Sequence, residues 1–214
     1  MSNVSETIVR EYFELHEFLV RQHRKYIAQT RREADDIDFF VLNPQPQQRE
    51  AALPFVLASP DLPFVQRAIV VVKGYHTETF SFAVLTHAPE IFRFVEAKGF
   101  KQAARAFGKE GAPTKILIVP ALPQSELARD QSIALLRSKG VDAVLPFHTI
   151  LNDLVAHTEV NRNYQKSDLL QIIRILKNYD FLKEPQLELF KPKRKRRSPL
   201  AAPPSVGQVV GAND

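Results

Sequence analysis

Lys73 ends an apolar run, since residues 68–75 read Ala-Ile-Val-Val-Val-Lys-Gly-Tyr. A run of this type belongs in a buried strand, where an unpaired ammonium is costly, so Lys73 calls for an anion beside it. The preceding apolar stretch, residues 37–42, carries Asp38. On extended chain, alternation sets Asp38 with Phe40 and Leu42, and Lys73 with Ile69 and Val71, so the two approach one buried edge if their strands are neighbours. A lysine so placed is a mobile point charge that can pair with a carboxylate or steady charge on an anionic group. Residues 74–79 are dense in polar groups, and His76 among them can assist proton transfer, contact phosphate or simply face solvent.

The elements that must hold these residues follow from periodicity. Ile8, Val9, Tyr12, Phe13, His16, Leu19 and Val20 recur at helical spacing, with Glu11, Glu14 and Glu17 on the opposite side. Glu6 shares the apolar stripe with Val9, Phe13 and Val20 and points inward; with Asn3 as N-cap it also fits a capping-box variant. Short strands are expected at 25–30 and 37–42. Residues 43–67 hold five prolines and form an excursion too long for a plain hairpin. After the Lys73 strand come a helix or broken pair through Ile91, Phe94, Ala103 and Phe107, a strand at 115–119, and a helix at 126–139 closed by Gly140. A strand at 141–145 and helices at 149–157 and 168–179 complete the order, the last capped by Ser167 and burying Leu169, Leu170, Ile172, Ile173 and Leu176. The expected class is α/β, a mixed central sheet flanked by helices.

This αβββαβ order, with Asp38 on the second strand and Lys73-Gly74 ending the third, resembles the restriction-endonuclease-like core of the PD-(D/E)XK nuclease superfamily over roughly residues 6–145. The start is most similar to archaeal-type Holliday-junction resolvases, whose early helix carries a glutamate and ends in a Gly-Phe-x-Val-x-Arg-like turn. The corresponding residues here are Glu6 and Glu17-Phe18-Leu19-Val20-Arg21, with Glu17 where that family places glycine. The resemblance implies a metal-dependent endonuclease acting on DNA, with Asp38, Lys73 and Glu6 as the catalytic set. Asp38, Glu6 and the Val72 backbone carbonyl would ligate Mg2+ or Mn2+, and Lys73 would orient the nucleophile or steady the charge on phosphorus. The second metal carboxylate of the family, two residues before the lysine, is Val71 here, and Ile37 precedes the aspartate in place of proline. That departure weakens metal binding unless Glu6, or Glu78 from a following strand, supplies the missing charge. The alternative expectation is a catalytically impaired nuclease-fold module that binds nucleic acid or serves in assembly.

Net charge has to be located before it is interpreted. Residues 191–197, Lys-Pro-Lys-Arg-Lys-Arg-Arg, hold six positive charges, and removing them from the formal +5 leaves −1 for the rest of the 214-residue chain. The expected organisation is therefore a nuclease-like domain at 1–182 and a basic, Pro-rich disordered tail at 183–214. In that tail Lys193, Arg194, Lys195, Arg196 and Arg197 either hold phosphates without sequence preference or only keep the terminus soluble. Arg162, in Asn-Arg-Asn-Tyr at 161–164, is a further phosphate-contact candidate, with ordinary turn chemistry as the other reading.

Several function classes fall away. There is no cysteine, which excludes disulfides, thiol catalysis and cysteine-type zinc sites. No stretch has the roughly 20 apolar residues of a membrane span and no signal-type start is present, so the expectation is a soluble, cytoplasmic protein without a membrane partner. Gly-x-x-x-x-Gly-Lys-Ser/Thr, Gly-x-Gly-x-x-Gly, Gly-x-Ser-x-Gly and His-Glu-x-x-His patterns are all missing, which argues against nucleotide-cradling loops, acyl hydrolases and zinc hydrolases. DNA or another nucleic acid is the expected partner, with room for a homodimer.

Overall fold

A computed structural model of the chain describes residues 4–22, 37–96, 106–108 and 111–182. The candidate strand at 25–30, the Asn3 cap and the whole basic tail lie outside these residues. The chain divides into two units, Met1–Lys183 and Glu184–Asp214, and the first contains all of the described structure.

Helix α1 (Val4–Leu15) opens the fold and is followed by strands β1 (Leu19–Gln22) and β2 (Phe39–Leu42). A 3-10 turn (Ser59–Phe64), β3 (Arg67–Val72), α2 (Phe82–His87) and a second 3-10 segment (Pro89–Val95) come next. Then follow β4 (Thr114–Val119), α3 (Glu126–Ser138), β5 (Ala143–Pro146), α4 (Phe147–His157) and α5 (Asp168–Asn178). The strands form one mixed sheet in chain order, antiparallel from β1 to β3 and parallel from β3 to β5. No described helix is long and apolar enough to cross a membrane.

β3 and β4 read as unbroken apolar runs because both sheet faces are covered. Val9, Tyr12 and Phe13 of α1 pack with Ile150 and Leu154 of α4 over Phe39, Val41, Val70, Ile116 and Ile118. On the opposite face Leu85, Phe92 and Leu136 cover Phe40, Ile69, Val71 and Leu117. Each such apolar side chain removed from water contributes about 1.5–3 kcal/mol before the cost of ordering it. Tyr12 is fully enclosed and its hydroxyl meets Ser59 Oγ at 2.9 Å; burial above all holds its phenol well above the ordinary value.

The Pro-rich excursion is an ordered part of this architecture. Leu57 N–H donates to the Val144 carbonyl at 2.8 Å and Val144 N–H donates to Phe55 at 2.7 Å, so residues 55–57 lie along the outer edge of β5 and cap an edge otherwise open to pairing. Ser167 caps α5 as expected, accepting from Leu170 N–H. Ile172 is 54% exposed, however, so the buried side of α5 is narrower than its apolar spacing implies. Glu11 is buried instead of solvated, with Arg10 at 3.7 Å.

The first helix also stops earlier than its periodicity implies, and Leu19 and Val20 belong to β1. Phe18 N–H donates to the Phe13 carbonyl and Glu17 N–H to that of Glu14, each at 3.0 Å, while Phe18 and Phe13 stack edge to face. This is a Schellman ending, which needs a left-handed residue at its hinge, and Glu17 takes that role at φ 63°. A side chain there costs energy that glycine avoids. Glu17→Gly should raise stability by roughly 0.5–1 kcal/mol after the extra unfolded-state freedom of glycine is deducted, seen as a higher urea midpoint at unchanged slope.

Candidate functional site

The register of the sheet brings the end of β1, the start of β2 and the end of β3 to one edge of the molecule. Gln22 pairs with Phe39, and Phe39 with Val70. The parallel strands put the ends of β4 and β5 at the same edge, so Phe147, the first residue of α4, arrives there too.

Asp38 sits at this edge on a break in the strand's regularity. Simple alternation would put Ile37 and Phe40 on opposite faces, yet both belong to the same apolar cluster. Asp38 N–H donates to the Val70 carbonyl at 3.0 Å although Phe39 is the residue paired with Val70. Two consecutive residues therefore oppose one, which makes this a β-bulge. The carboxylate then takes over the neighbouring ladder position, Oδ2 accepting from Val72 N–H at 2.7 Å. That bond is charge-assisted and fixes Asp38 against the end of β3. Lys73, half-buried, continues the parallel ladder by donating its backbone N–H to Ile118 at 3.2 Å.

Glu6, in the first turn of α1, accepts from Gln22 Nε2 at 2.8 Å, so it also stands at this edge. His76 bridges two helix starts, with Nε2 2.8 Å from the Oγ of buried Ser5 and its ring edge-on to Phe147 at a centroid distance of 4.5 Å. Ser5, Gln22 and Phe147 carried no signal in the sequence, because their contacts join residues far apart in the chain.

The other candidates lie elsewhere. Glu78 is exposed in a turn, its N–H donating to Tyr75 at 2.9 Å, and the element that follows is helix α2 instead of a strand. Arg162 lies exposed beyond the far end of α4, roughly 16 Å along that helix from the edge, and pairs loosely with Glu159 at 4.0 Å. Lys193, Arg194, Lys195, Arg196 and Arg197 are outside the described residues. At the end of the sheet opposite Asp38, His16 Nε2 meets Asp153 Oδ2 at 2.8 Å beside a polar cavity of about 190 Å³ lined in part by Asn43, Gln45 and Gln47.

The donor set can be tested against Mg2+, which wants about six oxygens in near-octahedral array. Glu6 and Asp38 each give one oxygen to a protein donor, and no group of three His, Asp or Glu side chains among the described residues could hold a metal. Val71 is 1% exposed within the apolar cluster on the face away from α1. The position two residues before Lys73, where the resembled superfamily carries its second carboxylate, is thus filled by an apolar side chain in the core. In comparison with family models, curated proteins and solved structures, nothing matches this chain.

Val71→Glu should consequently fail to build a metal site. The expected result is a loss of about 3 kcal/mol or more from an unpaired charge in the apolar face, with no recovery of melting temperature on adding Mg2+ or Mn2+.

Proposed function

We propose that this protein is a nucleic-acid-binding module on a nuclease-like scaffold, which engages the phosphodiester backbone at the sheet edge bearing Asp38, Lys73 and His76 and has little or no hydrolytic activity. The observation that carries this reading is the division of labour at the end of β3. Asp38 is locked to Val72 N–H, while Val71 is spent on the apolar core. On this reading the corner has a nuclease-like arrangement without the second carboxylate that the resembled superfamily uses for metal binding.

Further support comes from the resemblance to resolvases at the turn after α1. Glu17, standing where those proteins have glycine, adopts the left-handed backbone that glycine favours. The starts of α1 and α4 both reach the edge, and helix starts present backbone N–H groups and positive potential to phosphate. Lys73 and His76 add donors, and the six cations at 191–197 add sequence-independent attraction.

A second reading, a Mg2+- or Mn2+-dependent endonuclease, is favoured by one specific observation: Glu6 and Asp38 stand at the same edge as Lys73. In that case Glu6 and Asp38 would hold the metal, which would supply an activated water, and Lys73 would steady charge on the phosphate.

The two readings separate by experiment. Anisotropy titrations with labelled duplex, branched and single-stranded DNA should give binding whose salt dependence drops by about one unit of slope in Lys73→Ala, while Asp38→Asn, which keeps an acceptor for Val72 N–H, retains binding. Gels of the same mixtures with Mg2+ or Mn2+ should stay free of cleavage products. Cleavage that disappears in Asp38→Asn would establish the endonuclease reading, and a salt slope untouched by Lys73→Ala would remove this edge from the binding surface.

A further inference from the structure

We propose that residues 186–190, Gln-Leu-Glu-Leu-Phe, are a docking peptide for a protein partner that is itself seated on DNA and offers an apolar cleft. The inference rests on the nucleic-acid reading above and extends it to a protein partner. It starts from the completeness of the folded unit. That unit ends at Lys183, with Leu182 packed against the cluster around α1 and α4. Its β5 edge is already covered by residues 55–57, and both sheet faces are closed by helices. Among the described residues, the unit thus has both faces and this edge covered.

Immediately beyond it, three large apolar side chains occur within five residues, bracketed by Pro185 and Pro192. Phe190 is the one aromatic residue after Phe181. A terminus that served only solubility would avoid such a cluster, because exposed leucine and phenylalanine favour aggregation. Just before the segment in sequence, Tyr179 and Phe181 are 69% and 77% exposed.

The chemistry of the five residues defines the cleft. Bound as an extended peptide, Leu187 and Leu189 share one side and Phe190 turns to the other, which asks for two adjoining apolar pockets. Gln186 supplies an amide that can both donate and accept at the mouth. The cationic run begins at the next residue, Lys191, and ends seven residues after Phe190, a reach of about 25 Å at full extension. Phosphates held by that run must lie within this distance of the cleft. The partner therefore carries DNA beside its peptide site, and two weak attachments joined by so short a link reinforce one another.

The probe is a purified sliding clamp, a ring that encircles duplex DNA and has apolar peptide clefts, used free and loaded on nicked circular DNA. Full-length protein should bind the free ring, and the Leu189→Ala/Phe190→Ala double variant should lose roughly tenfold or more in affinity. Replacing Lys193, Arg194, Lys195, Arg196 and Arg197 by alanine should leave binding to the free ring intact and shorten retention on the loaded ring. Urea midpoints of the double variant should equal those of the parent, since the segment lies outside the folded unit. No binding to the free ring, equal binding by the double variant, or a lowered urea midpoint would each overturn the docking assignment. DNA binding without the ring reports separately on the sheet edge, so failure of one reading is distinguishable from failure of the other.

Discussion

The bond from Val72 N–H to the Asp38 carboxylate is the constraint on which the rest of this edge depends. A strand that pairs regularly would spend Val72 N–H on a backbone carbonyl of β2. The bulge withdraws that carbonyl and substitutes a charged side chain, which shortens the bond to 2.7 Å and turns the aspartate toward the end of β3. One extra residue beside β2 thus sets the acidic group against the end of β3. It also returns Ile37 to the face occupied by Phe40, so the correction leaves no apolar side chain stranded.

Around that bond the helices act as a brace. α1 and α4 both run from this edge toward the opposite end of the sheet, where His16 and Asp153 join them again at 2.8 Å. Ser5, His76 and Phe147 tie their starts together at the near end. Two helices pinned at both ends over one sheet face give a rigid platform, which under the proposed nucleic-acid function would hold backbone N–H groups and polar side chains ready for phosphate. Bulge and brace depend on backbone geometry, whereas Val71 lies in the apolar cluster on the face away from α1.

Much of the fold was legible because burial on both faces leaves plain apolar runs, as at Ala68 to Val72 and Ile116 to Val119, and because Ser167 announces a helix start in local chemistry. The end of α1 was not. Leu19 and Val20 continue the helical spacing of Val9, Tyr12 and Phe13, and the stop signal is a left-handed glutamate where a glycine would have announced it. At the site, Asp38, Lys73, Glu6 and His76 stood out by residue type. Their true surroundings did not, because a bulge set by a contact across 34 residues and a serine-histidine bond across 71 leave no trace in local pattern. The excursion at 43–67 looked like a loop for the same reason: its partner, Val144, lies far along the chain.

The most direct test of the account is a backbone amide and imidazole NMR titration of the full chain with a short DNA duplex. The amides of Ser5, Asp38, Val72 and Lys73 and the ring of His76 should move together and saturate at one stoichiometry, with the Val72 amide remaining slow to exchange because its bond to Asp38 persists. Shifts confined to the far end, at His16, Asn43 and Gln45, or a Val72 amide that exchanges freely in the absence of DNA, would contradict it.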